Sequence, residues 1–355
     1  MDTPITVVNL NPCLDWSWHT DEFTHGGMNR IKSARQDAAG KGVNVCVALK
    51  NLGLSPVCMG FNFHENGKVI TDKLDEHGIV YDFVTVDGAV RVNIKLYDES
   101  GTMTELNQPG AYVPPEAQEE LIKKITREIP RPLGGLLRDC SVKVAVSRSN
   151  PPAGCSAGIL ILSGSRPASV PADFYARLCA AWEGIVVLDT EGDALRLAVD
   201  LGERAPFLIK PNLFELESTF GVKLPTREAI ADFCRQNIIK KGVTIACVSL
   251  GAEGAMLITA DGVHYSPALP VEVKAVQGAG DAMVAGLVYG LLDKRANFLD
   301  RCLDRCDFSP DLLRFAMAAA AATITLEGTQ MCGRNGFERF YEIITSTLAP
   351  VKRLN

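Results

Sequence analysis

Short apolar stretches of single-strand length alternate with helix-length stretches over most of this 355-residue chain, and no other feature restricts its fold as much. Strands are predicted over 5–9, 56–61, 81–86, 158–162, 185–189, 206–210 and 244–250. Helices are predicted between them over 43–52, 67–77, 115–129, 172–182 and 227–240. The helix over 115–129 carries Glu119/Lys123 and Glu120/Lys124 four residues apart, which marks a solvated outer face. Alternation of this kind predicts an α/β fold, a mainly parallel sheet with helices on both sides. Ligands in such folds sit beyond the carboxyl ends of the strands, so the loops that follow them are the places to look for chemistry.

Three stretches break the rhythm. Residues 12–36 and 89–108 alternate polar and apolar side chains, as in Arg91-Val92-Asn93-Ile94-Lys95-Leu96, with turn signals over 98–101. They read as strands of a separate sheet too small to be stable alone, a β lid over the site. The third, 131–157, has Gly, Pro and Arg without a helical period where a short connection is expected, and reads as a surface insertion into a single domain spanning 1–355. Within it Val144-Ala145-Val146-Ser147 resembles Leu160-Ile161-Leu162-Ser163. The second copy is the expected strand, because it alone keeps a glycine, Gly164, in the following turn.

A net charge of −6 argues against nucleic acid as a partner, since counterion release needs a basic surface. No apolar run approaches the roughly 20 residues that span a bilayer; the longest, 315–326, falls well short. The chain enters a strand-like Ile5-Thr6-Val7-Val8 without a basic leader or cleavage site, and its 11 cysteines are scattered, mostly in apolar runs. Reduced thiols and a cytoplasmic location are the expectation.

The most telling local feature is Gly278-Ala279-Gly280-Asp281, just before an apolar helical run. Glycines let backbone N–H groups crowd an anion, and the helix start adds its positive dipole end. An aspartate beside a bound phosphate would be repelled, unless it takes the proton of a hydroxyl attacking that phosphate. Asp281 is then the base of a small-molecule kinase, and a carboxylate near its ordinary pKa serves. Taken alone, the same turn is also a helix N-terminus with an acid favoured by the dipole.

Other stretches each carry a sharp and a plain reading. Gly40-Lys41-Gly42-Val43-Asn44 opens another apolar helix, with Lys41 and Asn44 one turn apart, but it lacks the spacing of a Walker A loop. A lysine at a helix start is unfavourable unless an anion binds there. Asp15 leaves the first strand, where acids bind sugar hydroxyls or simply form turns. Arg91 and Lys95 share a strand face, and with Arg30, Lys32 and Lys41 they form a basic cluster, either a solvated face or a site for an anionic substrate. Lys210-Pro211-Asn212-Leu213-Phe214-Glu215 suits a hydrated Mg²⁺ at Asn212 and Glu215, or a capping box. Ser249-Leu250-Gly251-Ala252-Glu253-Gly254 is a hairpin turn or a place where backbone approaches a nucleotide.

Together these motifs resemble the phosphofructokinase-B branch of the ribokinase superfamily, in that family's order and over the whole chain except 131–157. They are Asn11-Pro-x-x-Asp15, Ala39-Gly-Lys-Gly-x-Asn44, Arg91-x-Asn-x-Lys95, Ser163-Gly-Ser165, Lys210-Pro-Asn-x-x-Glu215, Ser249-Leu-Gly-Ala-Glu-Gly254 and Gly278-Ala-Gly-Asp281. The resemblance implies a ribokinase-like three-layer α/β core with a β lid that often makes homodimer contacts, ATP as donor and Mg²⁺ as cation. It implies Asp281 as catalytic base and Gly278, Ala279 and Gly280 as anion hole. Asp15, Gly40, Lys41, Asn44, Ser163 and Gly164 would lie on the sugar side, with Arg91 on the sugar's existing phosphate. Lys210, Asn212, Glu215, Ser249, Gly251 and Gly254 would line the nucleotide, with Asn212 and Glu215 reaching the metal through water. The expected reaction is phosphorylation of fructose 1-phosphate to the 1,6-bisphosphate. The alternatives are the same chemistry on tagatose 6-phosphate or fructose 6-phosphate, or a non-catalytic sugar-phosphate binding regulator. Three departures stand out: Val276-Gln277 where the family usually has Thr-Val, Arg166 after Ser163-Gly164-Ser165, and Asn62-Phe63-His64-Glu65 in place of a glycine-rich turn.

Overall fold

A computed structural model describes residues 3–127, 158–293, 310–347 and 352–354; the insertion expected over 131–157 lies outside them. The first half of the chain builds β1 (Ile5–Asn9), β2 (Cys13–His19), β3 (Ser33–Ala39), α1 (Lys41–Asn51), β4 (Pro56–Glu65), α2 (Gly67–Glu76), β5 (Val80–Ala89), β6 (Arg91–Tyr97), β7 (Met103–Asn107) and α3 (Pro115–Arg127). It continues with β8 (Ile159–Ser163), α4 (Phe174–Ala181), β9 (Ile185–Asp189), α5 (Gly192–Val199), β10 (Leu208–Ile209), α6 (Leu213–Phe220), α7 (Arg227–Asn237) and β11 (Ile245–Ser249). The last part holds β12 (Ala255–Ile258), β13 (Val263–Ser266), α8 (Ala279–Leu292), α9 (Asp311–Ile324), α10 (Arg334–Thr347) and β14 (Lys352–Leu354).

The large sheet has the order β14-β13-β12-β11-β10-β9-β8-β1-β4-β5. Pairing is parallel from β5 through β11 and antiparallel from β11 to β14. β1, β8 and β9 are buried at every residue, as expected of parallel strands covered on both faces. The strand predicted over 206–210 contracts to two residues because Pro206 and Pro211 bracket it and proline has no N–H for the ladder. Of the two similar segments, Leu160-Ile161-Leu162-Ser163 lies in β8 as expected. Register brings Ser163 beside Asp189 and Leu188 beside Ile209, so Ser163, Asp189 and Lys210 emerge along one edge.

The second sheet has the order β3-β2-β6-β7, with β2 and β6 parallel between two antiparallel partners. β3 runs to Ala39, past the predicted boundary at 36, and a single residue, Gly40, joins it to α1. Among the described residues no helix is long and apolar enough to cross a membrane.

α8 is buried almost all round, the pattern of a core helix. It packs so closely on α9 that a Cβ on Gly286 would lie 2.5 Å from the Phe315 carbonyl oxygen. Because α8 also carries Asp281, replacing Gly286 strains the core and moves the site together. Gly286→Val is expected to destabilise the fold by about 2–3 kcal/mol through overpacking. A urea titration comparing the midpoints of variant and parent checks it.

Candidate active site

Asp189, at the end of β9, has no exposed surface. Lys210 Nζ lies 3.2 Å from its Oδ1, Lys41 Nζ lies 3.5 Å from its Oδ2, and the Ser163 hydroxyl donates to Oδ2 at 3.3 Å. Burial opposes ionisation of Asp189, but Lys210 and then Lys41 override it and hold the carboxyl below the usual range. Lys41 also reaches Glu215 Oε1 at 3.4 Å. Burial pulls the Lys41 ammonium down, yet Asp189, Glu215 and Asp281 together hold it well above its ordinary value.

α8 begins at Gly278, whose φ of +76° is the left-handed cap conformation that favours glycine. A Cβ on Gly280 would sit 3.4 Å from Lys210 Nζ, so the space between that ammonium and the helix start stays open because residue 280 has no side chain. A lysine, a left-handed turn and the amide groups of a helix start thus converge where an anion would be held. Within the first turn of the helix, Asp281 is 5% exposed and accepts a hydrogen bond from Asn44 Nδ2 at 2.8 Å. Its pKa is not the ordinary one expected from sequence. Burial pushes it up to about 6; Lys41 pulls it down, Asp189 pushes it up again, and the Asn44 hydrogen bond and Lys210 pull it down. A base in that range is matched to proton transfer near neutral pH.

Asn212 and Glu215 form a full capping box. Asn212 Oδ1 accepts from the Glu215 amide at 2.7 Å, and Glu215 Oε2 accepts from the Asn212 amide at 2.8 Å. The plain reading of that motif is therefore realised, while Glu215 Oε1 still faces Lys41. Gly251 and Gly254 likewise shape the turn between β11 and β12, where Leu250 N–H donates to the Gly254 carbonyl at 2.8 Å. The bridge from Asn212 to Ser249 keeps this turn beside the start of α6.

The lid supplies the other wall. Asp15 is buried, with Lys95 Nζ 2.6 Å from Oδ2 and Asn93 Nδ2 donating to Oδ1 at 3.2 Å. Lys95 is thus an internal partner of Asp15 rather than a member of an open basic cluster, and Lys32 closes on Asp21 and Glu99. Arg91 donates through one guanidinium nitrogen to the Gln108 carbonyl at 3.0 Å, while its Nε is buried without a hydrogen bond to the protein. The Oδ1 atoms of Asn11, Asn44 and Asn93 are buried in the same state. Buried polar atoms left without partners cost about 1–3 kcal/mol each, so these four have hydrogen-bonding capacity that a polar ligand could use. Asn11 Nδ2 donates to Ser165 Oγ at 3.2 Å, tying the loop after β1 to the loop after β8. Gly164, at φ +101°, accommodates the Lys41 stem; a Cβ there would lie 3.3 Å from Lys41 Cβ. Gly40, at φ +126°, allows Asn9 to approach where the lid meets α1. Arg166 bonds the Val170 carbonyl, which accounts for it without a substrate.

The structure thus brings together Asp281, Asn44, Lys41, Lys210, Glu215, Ser163 and Gly280, with Asp15 and Arg91 on the lid. Asp189 was missed in the sequence, where it reads only as the last residue of a strand; an acid at a strand's carboxyl end was the available signal.

Residues 9–126 and 153–335 match the pfkB family of carbohydrate kinases, and the break between them spans most of the insertion. The chain belongs to that family. It is 30% identical to the 1-phosphofructokinase of Escherichia coli K12 over 325 residues, 92% of each chain. To that of Bacillus subtilis it is 30% identical over 290 residues, 81% of this chain and 85% of the relative. Among solved structures, phosphofructokinase-2 from Escherichia coli with fructose-6-phosphate superposes with a TM-score of 0.77 at 21% identity, over 97% of this chain and 99% of that one. Ribokinase from Thermotoga maritima superposes at 0.69 and 18% identity, covering 96% and 99%. At those identities the likeness fixes the fold, which is the ribokinase-like one expected. This pfkB kinase is therefore a sugar kinase, and carbohydrate kinases of its family use ATP.

The raised pKa of Asp281 has a thermodynamic sign. Its folded value lies above its unfolded one, so the folded chain holds its proton more tightly, and the cost of the buried charge is present at pH values above about 6 and relieved as pH falls toward 4. Asp281→Asn removes that cost and is expected to stabilise the fold by about 1–3 kcal/mol at pH 7.5. The gain shrinks to near nothing below the unfolded carboxyl pKa. Thermal midpoints of parent and variant across that range measure it.

Proposed function

We propose that this kinase transfers the γ-phosphoryl group of ATP to the C6 hydroxyl of fructose 1-phosphate, giving fructose 1,6-bisphosphate. The observation that carries the reading is Asp281: a buried carboxylate held by Asn44, in the first turn of α8 directly after its glycine-rich start and beside Lys41. The fructose 1-phosphate assignment draws on the relatives named 1-phosphofructokinase at 30% identity over most of both chains.

In this reading the sugar lies between the lid and α1, with hydroxyls on Asp15, Asn44, Ser163 and Gly164 and its phosphate on Arg91. Asn44 fixes the orientation of Asp281, which takes the proton of the acceptor hydroxyl late in transfer. Reaction of this type depends more on positioning and charge neutralisation than on a strong base. Amides of Gly278, Ala279 and Gly280, with Lys210 and Lys41, neutralise charge on the migrating group. Ser249, Gly251 and Gly254 would line the nucleotide. The donor set also fits a hard cation: Glu215, through water, would hold Mg²⁺, while Asn212 chiefly fixes Glu215 by the capping box. A cation held there would supply positive charge to offset the negative charge of the phosphate oxygens. The lid sheet closes off water so that ATP is not hydrolysed, and its exposed outer strands, β3 and β7, would contact a second copy of the chain.

Asp281→Asn is expected to lower turnover by about 10²–10⁴-fold while leaving ATP binding nearly intact. Arg91→Ala is expected to raise KM for the phosphosugar much more than KM for ATP. A coupled ADP-release assay over fructose 1-phosphate, fructose 6-phosphate and tagatose 6-phosphate measures both. Preference for a 6-phosphate would redirect the substrate assignment. Absence of turnover on every sugar, with binding retained, would make the protein a sugar-phosphate sensor.

A further inference from the structure

Gln277 stands directly before the anion hole, and its side chain leaves the core to reach the lid. Its Nε2 donates to the Tyr97 hydroxyl at 3.0 Å and approaches Met103 Sδ at 3.6 Å. Tyr97 and Met103 are cross-strand partners in the β6–β7 hairpin, so one amide grips both sides of its tip. The tip is itself well held. The Tyr97 ring stacks on His19 of the neighbouring strand with centroids 5.1 Å apart, and the Tyr97 carbonyl accepts from the Thr20 amide at 2.9 Å. On the core side the turn is wedged, because a Cβ on Gly278 would lie 2.1 Å from Met331 Cε. Val276, its other neighbour, is 63% exposed, and its carbonyl accepts from the Ala279 amide at 3.4 Å.

We infer that Gln277 is a positioning residue that latches the β6–β7 tip of the lid to the anion-hole turn, so that the lid seats and the backbone amides before Asp281 align as one event. The inference rests on the kinase reading for its consequence, since a latched lid is what keeps water from competing with the sugar hydroxyl. The contact itself does not depend on that reading.

The test uses Gln277→Val, Tyr97→Phe and the double variant in the full-length protein. Tyr97→Phe keeps the ring that stacks on His19 and removes only the acceptor oxygen. Amide hydrogen exchange over residues 91–107, without ligands, is expected to quicken by about two- to tenfold in each single variant, the size of one net hydrogen bond. The double variant is expected to exchange no faster than either single one, since both remove the same contact. ADP released in excess of bisphosphate formed should rise by a similar factor in all three, with the thermal midpoint lowered by no more than a few degrees. Additive effects on exchange, or lid exchange identical to the parent, overturn the latch. Non-additive exchange in a protein that turns over no sugar upholds the latch and overturns the kinase reading.

Discussion

Two lysines on one buried carboxylate organise this site. Burying Asp189 without partners would cost several kcal/mol, and Lys210 and Lys41 supply the charge that makes it tolerable. Once Lys41 is fixed there, Glu215 closes on its other side and α1 is placed so that Asn44 meets Asp281. Five ionisable groups are then packed together, three carboxylates facing two ammonium groups. Burial is what makes Asp281 hold its proton more tightly than a free aspartate, and Lys41 is the strongest of the neighbours that oppose it. In the proposed reaction, phosphate oxygens at the start of α8 would add negative charge, which the helix dipole and its amides would offset.

The backbone was largely legible in the sequence because its period is local. Alternation gave the parallel strands, and the short polar–apolar runs gave the second sheet. What was hidden is what joins distant residues. Nothing local reveals that Asn44 bonds Asp281, 237 positions away, or that Lys95 turns inward onto Asp15 rather than outward toward an anion. The antiparallel β12, β13 and β14 were foreshadowed only as a glycine hairpin after residue 249.

Plain and functional readings also proved compatible. The capping box of Asn212 and Glu215 is complete, yet it leaves one Glu215 oxygen toward Lys41. Gly251 and Gly254 serve a turn and still stand at the carboxyl edge of the sheet. A residue that satisfies a helix end is held rigidly, and rigidity is what a binding group requires.

The joints between the two sheets carry a mechanical consequence. Strand β3 passes into α1 through Gly40 alone, and β5 passes into β6 through Val90 alone. Joints one residue long cannot stretch, so the small sheet has little freedom to slide or lift away; it can pivot, as a stiff plate, about the line through those two residues. Lys41 begins immediately beyond one end of that axle. Any swing of the plate would turn about backbone directly beside the lysine that touches Asp189 and Glu215.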